Sequence, residues 1–184
     1  MINFLKEKKE DLFLLSTFSI ISLAIILKSY FNFNGYISPD SGYYLALAKH
    51  LMSGEGFLIS AYEYGGNKNE FFATWAVGYP VLIMLASKLT GLSVFWSSKV
   101  LNIFLLGFLF IILRLLFKKN AYIYSLVFFF SSYLEIFSFT WSENLFLASM
   151  VFFAYCLNNI IISSENSFIQ YSLLLLSTAL LFLS

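Results

Sequence analysis

Charged residues are scarce in this chain, and their scarcity excludes several classes of protein. Only 11% of the 184 residues are Asp, Glu, Lys or Arg, whereas a soluble domain has about a quarter. The net charge is +1 and no basic stripe is present, which argues against a nucleic-acid partner. The single cysteine, Cys156, gives neither a disulfide within the chain nor a thiolate metal cluster. Motifs of phosphate-binding loops, dinucleotide-binding folds, serine hydrolases and zinc proteases are also missing.

Hydrophobic residues are abundant instead, at 60% of the chain, and they form runs close to the length that crosses a bilayer. This composition predicts an all-α, polytopic membrane helical bundle that forms a single domain over residues 1–184. Five segments are predicted to span the membrane: 12–31, 96–116, 121–139, 145–162 and 168–184. The fifth run reaches Ser184 without flanking polar residues, so we expect a truncated reading frame or the N-terminal part of a longer module.

The first apolar run has two interpretations. It follows a short lysine-rich segment, which is typical of a cleaved signal peptide. However, no small-residue cleavage pattern follows the run, and the acids Glu7, Glu10 and Asp11 are unusual in a signal peptide. An uncleaved first transmembrane helix is therefore favoured, because Lys28 can snorkel and the following aromatic residues can extend the span.

Basic clusters at the ends of the predicted spans indicate the topology. Lys6, Lys8 and Lys9 precede the first span, and Arg114, Lys118 and Lys119 end the second. The positive-inside rule places both clusters in the cytoplasm, which requires an even number of crossings between them. The segment 74–91, which Lys88 interrupts, is therefore predicted to lie along the outer surface or to re-enter, not to cross. The N-terminus is then cytoplasmic and residues 32–95 form an outer loop.

The outer loop contains a polar stretch, residues 38–57, with a helix-start signal. Proline suits a first helical position, and Ser38 or Asp40 can cap the helix. Apolar residues then recur at helical spacing until Gly54, which is placed to end the helix. Local sequence favours a plain capping role for Asp40. The compatible alternative is a carboxylate that the helix N-terminus keeps ionised, so that it accepts a proton from a hydroxyl nucleophile. With the segment 74–91, this gives two short interfacial helices.

Two further residues are candidates on local grounds. Glu143 lies in the predicted outer turn between the third and fourth spans, and acids near membrane depth are rare and often functional. The alternative is an ordinary loop acid, or an acid in the first turn of the fourth helix. His50 has no neighbouring ligand motif, which favours a surface or packing role over metal ligation. We therefore assign no residue as a metal ligand. Glu135 lies deeper and would need a partner or a wet cavity.

Several motifs follow one another in a fixed order. They are Asp40, then Tyr43 and Tyr44, Ala46 and Ala48, Gly54 to Gly56, then Gly78, Tyr79 and Pro80, then Lys88 to Gly91, and finally Ser142, Glu143 and Phe146. This order resembles the N-terminal part of the GT-C membrane glycosyltransferases, most nearly the protein mannosyltransferase and aminoarabinose transferase type. The resemblance covers most of residues 12–160.

The resemblance implies a transferase that uses a polyprenyl-phosphate-linked sugar at the outer face of a bacterial plasma membrane. Its acceptor is a hydroxyl of a glycan, lipid or protein. Asp40 matches the family's general base, which serves the acceptor hydroxyl as it attacks the sugar C1 with inversion. Glu143 resembles the second outer acid, which helps to hold acceptor, donor or a divalent cation. Many relatives have a second acid after the general base, whereas Ser41 follows Asp40 here, which weakens a metal-binding role. A divalent cation stays open, and no other cofactor is implied.

Three more residues are candidates for substrate binding under the same resemblance. Tyr44 belongs to the motif that follows Asp40, and Lys49 and His50 are local cationic groups. Cationic stabilisation is needed when negative charge develops on a departing phosphate. The family continues through further helices that help to hold the lipid phosphate, so we do not expect this short chain to act alone.

Two other functions are weighed against the transferase. A non-catalytic integral membrane subunit, or a degenerate paralogue, predicts that Asp40 and Glu143 do not converge. A transporter fragment is less favoured, because it requires polar or broken helices at the membrane midplane, and the predicted spans are mostly uninterrupted.

Overall fold

The computed structural model describes residues 2–60, 69–73, 75–162 and 168–184, and helices dominate this part of the chain. The helices are α1 (Ile2–Phe31), α2 (Pro39–Met52), α3 (Gly78–Thr90), α4 (Val94–Phe117), α5 (Ala121–Ser125), α6 (Ser131–Ser138), α7 (Glu143–Ile162) and α8 (Phe168–Leu183). Two three-residue strands, β1 (Leu58–Ser60) and β2 (Asn69–Phe71), form a small antiparallel pair with Leu58 opposite Phe71. The all-α prediction is confirmed, but the strand pair was not predicted.

Within the described residues, three helical stretches are long and apolar enough to cross a membrane: Lys9–Phe31, Val94–Phe129 and Glu143–Ile162. They indicate an integral membrane protein. Helix α8 is apolar but has only 16 residues, whereas a span needs about 20. Five spans therefore stay a prediction.

The predicted third span, 121–139, is not one continuous helix. The short helix α5 passes into a 3-10 segment, Leu126–Phe129, and the chain then becomes extended at Phe130, with ψ of 139°, before α6 begins. Phe128 is buried in this break and packs against Phe110 and Phe137 with ring centroids 5.4 and 6.1 Å apart. The burial of this ring overrides the helical preference that the apolar run suggests.

An ion pair fixes how α1 and α4 lie together. Arg114 near the end of α4 donates to both carboxylate oxygens of Asp11 near the start of α1, at 2.6 and 3.3 Å. Phe18, further along α1, packs against Gly107 and Phe110, which lie earlier in α4. The two helices are therefore antiparallel, and Lys9 lies at the same end of the bundle as Lys118. This agrees with an even number of crossings between the basic clusters. We name this end the basic end; the side of the membrane on which it lies stays a prediction.

The opposite end, which we name the polar end, holds the starts of α2 and α4 and the turn of residues 139–142 between α6 and α7. Helix α2 begins where the sequence predicts, with Pro39 as its first residue and Gly54 left-handed just after its end. Helix α3 has 13 residues and stops at a left-handed Gly91. At 1.5 Å per residue it extends roughly 20 Å, and it is not among the candidate spans, as expected for an interfacial helix.

Gly78 allows a close approach between two helices. It begins α3, and its backbone lies against Leu183 at the end of α8. A Cβ at Gly78 would lie 2.6 Å from the Leu183 Cβ and closer still to the Leu183 carbonyl oxygen. Glycine is therefore required here so that α8 can pack on α3.

We expect Gly78→Ala to destabilise the protein by roughly 1–3 kcal/mol, because the added methyl forces α8 away from α3. The matched control is Gly107→Ala in α4, where the nearest atoms are the Phe18 ring at 3.4 Å. This control should be neutral or stabilising, because alanine favours a helix. Thermal unfolding in detergent measures both, and equal melting temperatures for the two variants would contradict the close packing.

Candidate active site at the polar end of the bundle

Asp40 lies in the first turn of α2, but it does not cap the helix. Ser38 is the N-cap, and its Oγ accepts a hydrogen bond from the Ser41 backbone N–H at 3.1 Å. The interpretation of Asp40 as a plain N-cap is therefore wrong. Its side chain is exposed, and the helix N-terminus stabilises a negative charge at this position. The carboxylate is thus available to a ligand.

Glu143 occupies the same kind of position in another helix. It is the first residue of α7 and is exposed, so the expectation of an acid in the first turn of this helix is confirmed. A helix N-terminus favours its ionised form as well. Two exposed carboxylates therefore begin two helices at the polar end.

Two hydrogen bonds join the start of α2 to the turn before α7. Tyr44 donates its hydroxyl hydrogen to Ser142 Oγ at 3.0 Å, and Trp141 donates its indole N–H to Ser38 Oγ at 2.6 Å. Ser142 and Trp141 directly precede Glu143 in the sequence. The backbone that carries Glu143 is thus fastened to the backbone that carries Asp40.

The negative charges of both carboxylates also affect the pKa of the Tyr44 hydroxyl. Burial raises the pKa of Tyr44 above its ordinary value of 10.0, and the negative charges of Glu143 and Asp40 raise it further, against the hydrogen bond with Ser142. A charge has this effect only at short range in a protein. Together with the hydrogen bond from Tyr44 to Ser142, the residue before Glu143, this indicates that both carboxylates lie within electrostatic reach of the Tyr44 hydroxyl.

Tyr44 belongs to a cluster of five aromatic side chains that pack against one another. The cluster consists of Tyr43, Tyr44, Phe72, Trp75 and Tyr79, with the centroids of contacting rings 5.2 to 6.4 Å apart. Tyr44 and Tyr79 are buried, whereas Trp75 keeps 37% of its surface exposed. The packing of Phe72 and Trp75 on Tyr44 was not predicted, because the sequence of a loop does not show which aromatic side chains will pack together.

Lys49 and His50 lie at the other end of α2. His50 pairs with Glu55 at 2.5 Å, and Lys49 is exposed. Nine residues of helix separate Asp40 from Lys49, which is roughly 14 Å along the axis. The structure does not bring these two cationic groups to Asp40. Among the described residues, no group of three or more His, Cys, Asp or Glu side chains could hold a metal ion.

Buried polar side chains form a layer beneath the acids. Tyr79 is fully buried and donates its hydroxyl hydrogen to Asn102 Oδ1 at 2.6 Å, and burial raises its pKa well above the ordinary value of 10.0. Asn102, Asn144 and Lys99 are also buried, at 1% exposure or less. Sequence reasoning missed their role. The available signal was a lysine and an asparagine inside the apolar run of α4, since polar groups at membrane depth usually have a purpose.

Comparison with protein-family models, with curated proteins and with solved structures finds no match for this chain.

The two buried tyrosines predict a loss of stability at high pH. Tyr44 and Tyr79 have folded-state pKa values above the unfolded value near 10, so their contribution is fully present below pH 10 and falls as the pH rises above it. The melting temperature should drop between about pH 10 and 11.5. In Tyr44→Phe and Tyr79→Phe the drop should be smaller, whereas Tyr171→Phe, at an exposed tyrosine of α8, serves as the control. An identical drop in melting temperature in all three variants would show that the pH dependence does not arise from Tyr44 and Tyr79.

Proposed function

We propose that this protein is a membrane glycosyltransferase of the GT-C type, or the N-terminal part of one. It transfers a sugar from a polyprenyl-phosphate-linked donor to an acceptor hydroxyl at the polar end of the bundle. The observation that carries the proposal is the pair of hydrogen bonds, Tyr44 to Ser142 and Trp141 to Ser38, that joins the start of α2 to the start of α7. Each of these helices has an exposed carboxylate in its first turn, Asp40 in α2 and Glu143 in α7. A non-catalytic subunit gives no reason for this arrangement.

Asp40 is the proposed general base. Its carboxylate is exposed, it is free of the capping role that Ser38 fills, and the helix N-terminus favours its ionised form. In the proposed step, Asp40 takes the proton from the acceptor hydroxyl and the hydroxyl oxygen bonds to C1 of the sugar. The bond from C1 to the lipid phosphate oxygen breaks, and its electron pair leaves on the phosphate. Attack opposite the leaving group inverts C1.

Glu143 is proposed to hold hydroxyl groups of the acceptor or donor. The two carboxylates repel each other, so a ligand that lies between them must donate hydrogen bonds or carry positive charge. Sugar hydroxyls meet the first condition. A divalent cation meets the second, and such ions are often held by one or two carboxylates together with substrate phosphates. Tyr44 directs its hydroxyl to Ser142, and it therefore contributes to substrate binding by fixing the turn beside Glu143.

The lipid part of the donor fits an active site at the end of an apolar bundle. Its polyprenyl chain would stay in the bilayer while its phosphate and sugar reach the surface that α2 and α3 form. Lys49 and His50 lie at the far end of α2, so they would contact the donor phosphate only if it binds near that end of the helix. Under the positive-inside rule the basic end is cytoplasmic, so this chemistry occurs on the outer face. The family resemblance implies that the membrane is a bacterial plasma membrane.

We expect Asp40→Asn to lower sugar transfer by about 10²- to 10⁴-fold, because the base is lost while the shape is kept. The complete protein in membranes is incubated with a panel of radiolabelled polyprenyl-phosphate sugars. Glu70→Gln, which removes another exposed acid, in β2, is the matched control and should transfer normally. Wild-type rates in Asp40→Asn would remove the general base. If the unaltered protein transfers no sugar from any donor, the non-catalytic subunit is favoured.

Convergence of the acids can be tested without any activity. In a Cys156→Ser background, Asp40→Cys with Glu143→Cys should react rapidly with a short bifunctional thiol cross-linker in membranes. Glu55→Cys with Glu143→Cys should react far more slowly, because α2 separates Glu55 from Asp40 by roughly 20 Å. Cross-linking is measured by mass spectrometry of the digested protein. Equal rates for the two pairs would contradict the arrangement of the polar end.

A further inference from the structure

The end of α6 leaves backbone carbonyls without partners in its own helix. The last carbonyls of any α-helix have no N–H group of a following turn to accept from. Here three side chains donate to three successive carbonyls: Asn144 Nδ2 to Ile136 O at 3.0 Å, Asn102 Nδ2 to Phe137 O at 2.9 Å, and Lys99 Nζ to Ser138 O at 2.6 Å. The donors come from α4 and α7, so capping also fixes these helices to α6.

Lys99 is the unusual member of this cap. It is 1% exposed, and no carboxylate lies within ion-pair distance of its ammonium group among the described residues. Its contacts are Ser138 O, Thr140 Oγ1 at 3.2 Å and the Phe95 ring at 5.1 Å. Burying a charge without a counter-ion is costly, and an apolar side chain of similar volume often serves folding as well. Space filling therefore does not explain a lysine here, whereas donation to the Ser138 carbonyl requires a polar side chain.

The capped carbonyls belong to the backbone that leads into Glu143. Asn102 Nδ2 also donates to Phe139 O at 2.8 Å, and the Phe139 ring stacks on Trp141 with centroids 4.3 Å apart and planes 7° apart. Trp141 then donates to Ser38 at the start of α2. A continuous set of contacts thus runs from Lys99 and Asn102, through residues 138–141, to the helix start that carries Asp40.

We infer that Lys99 is a positioning residue that holds the turn of residues 139–142, and with it Glu143, at a fixed distance from Asp40. It acts through the backbone of the turn and does not touch substrate. Its catalytic meaning rests on the proposed transferase function, whereas the positioning itself is a property of the fold. An experiment can therefore reject the positioning role and the transferase function independently.

Two substitutions separate positioning from space filling. Lys99→Met keeps most of the volume but removes the donor, whereas Lys99→Gln keeps a neutral donor. If Lys99 only fills space, Lys99→Met behaves as the unaltered protein or melts at a higher temperature. If Lys99 positions the turn, Lys99→Met stays folded but the turn shifts, and Lys99→Gln recovers part of the arrangement.

The first readout is the cross-linking rate of Asp40→Cys with Glu143→Cys in the Cys156→Ser background, measured 20 °C below the melting temperature of each variant. We expect Lys99→Met to lower this rate at least tenfold and Lys99→Gln to lower it less. The control pair is Asp11→Cys with Arg114→Cys at the basic end, whose rate should not change. An unchanged Asp40–Glu143 rate in both variants overturns the inference. An equal fall in the cross-linking rates of both pairs also overturns the inference, because the whole bundle would then have loosened.

The second readout is the fluorescence of Trp141 with Trp75 and Trp96 replaced by phenylalanine. Loss of the stacked ring and of the Ser38 hydrogen bond should shift its emission in Lys99→Met, with partial recovery in Lys99→Gln. The exposed lysine Lys88 supplies a control, since Lys88→Met should leave the emission unchanged. An emission spectrum that is unchanged in Lys99→Met would argue against a positioning role.

The last readout links positioning to transfer. In the complete protein, Lys99→Met should lower kcat at least tenfold with little change in KM, because the acids move while the binding surface stays. An unchanged kcat would overturn the catalytic part of the inference. If the unaltered protein shows no transfer, the proposed function fails, and the cross-linking and fluorescence results still decide the positioning.

Discussion

The carbonyl groups at the end of α6 impose the constraint on which the polar end depends. A backbone carbonyl that faces neither water nor a donor costs free energy, and Phe137 and Ser138 are buried, so water is not available to supply a hydrogen bond. Because α6 stops after Ser138, donors must come from side chains of neighbouring helices. Lys99, Asn102 and Asn144 supply them. The need for these donors explains why polar residues occupy the buried face of otherwise apolar helices.

This constraint acts together with the antiparallel arrangement of α1 and α4. The ion pair of Asp11 with Arg114 holds the end of α4 at the basic end, so the start of α4, with Lys99 and Asn102, lies at the polar end. The same chain segment is therefore apolar where it crosses the bilayer and polar where it meets α6. Asn102 also accepts from Tyr79, which fixes α3 to the same layer. The surface helices are thus attached to the spanning helices by hydrogen bonds as well as by apolar packing.

Sequence reasoning succeeded where local chemistry determines structure. Proline at a helix start, a glycine after a helix end and the spacing of apolar residues predicted α2, and the basic clusters predicted that α1 and α4 are antiparallel. It failed where distant residues decide. The break at Phe130 depends on the Phe110 ring of α4, which packs against Phe128. Capping of α6 depends on Asn102 and Lys99, which lie 35 and 39 positions before the carbonyls they cap. The convergence of Asp40 and Glu143 could be expected only from a family resemblance, because no local pattern connects residues 103 positions apart.

The role of Ser38 explains how one carboxylate can begin a helix and still be free. A serine hydroxyl can donate one hydrogen bond and accept two. Ser38 accepts from the Ser41 backbone and from the Trp141 indole, and its remaining hydrogen can be shared with the Ser41 hydroxyl at 3.0 Å. Its capacity is therefore filled, and α2 needs no cap from Asp40. Because Trp141 belongs to the turn that carries Glu143, the serine that releases Asp40 from capping also holds the second acid beside it. The exposure of Asp40 and the attachment of the turn before Glu143 to α2 thus follow from the same side chain.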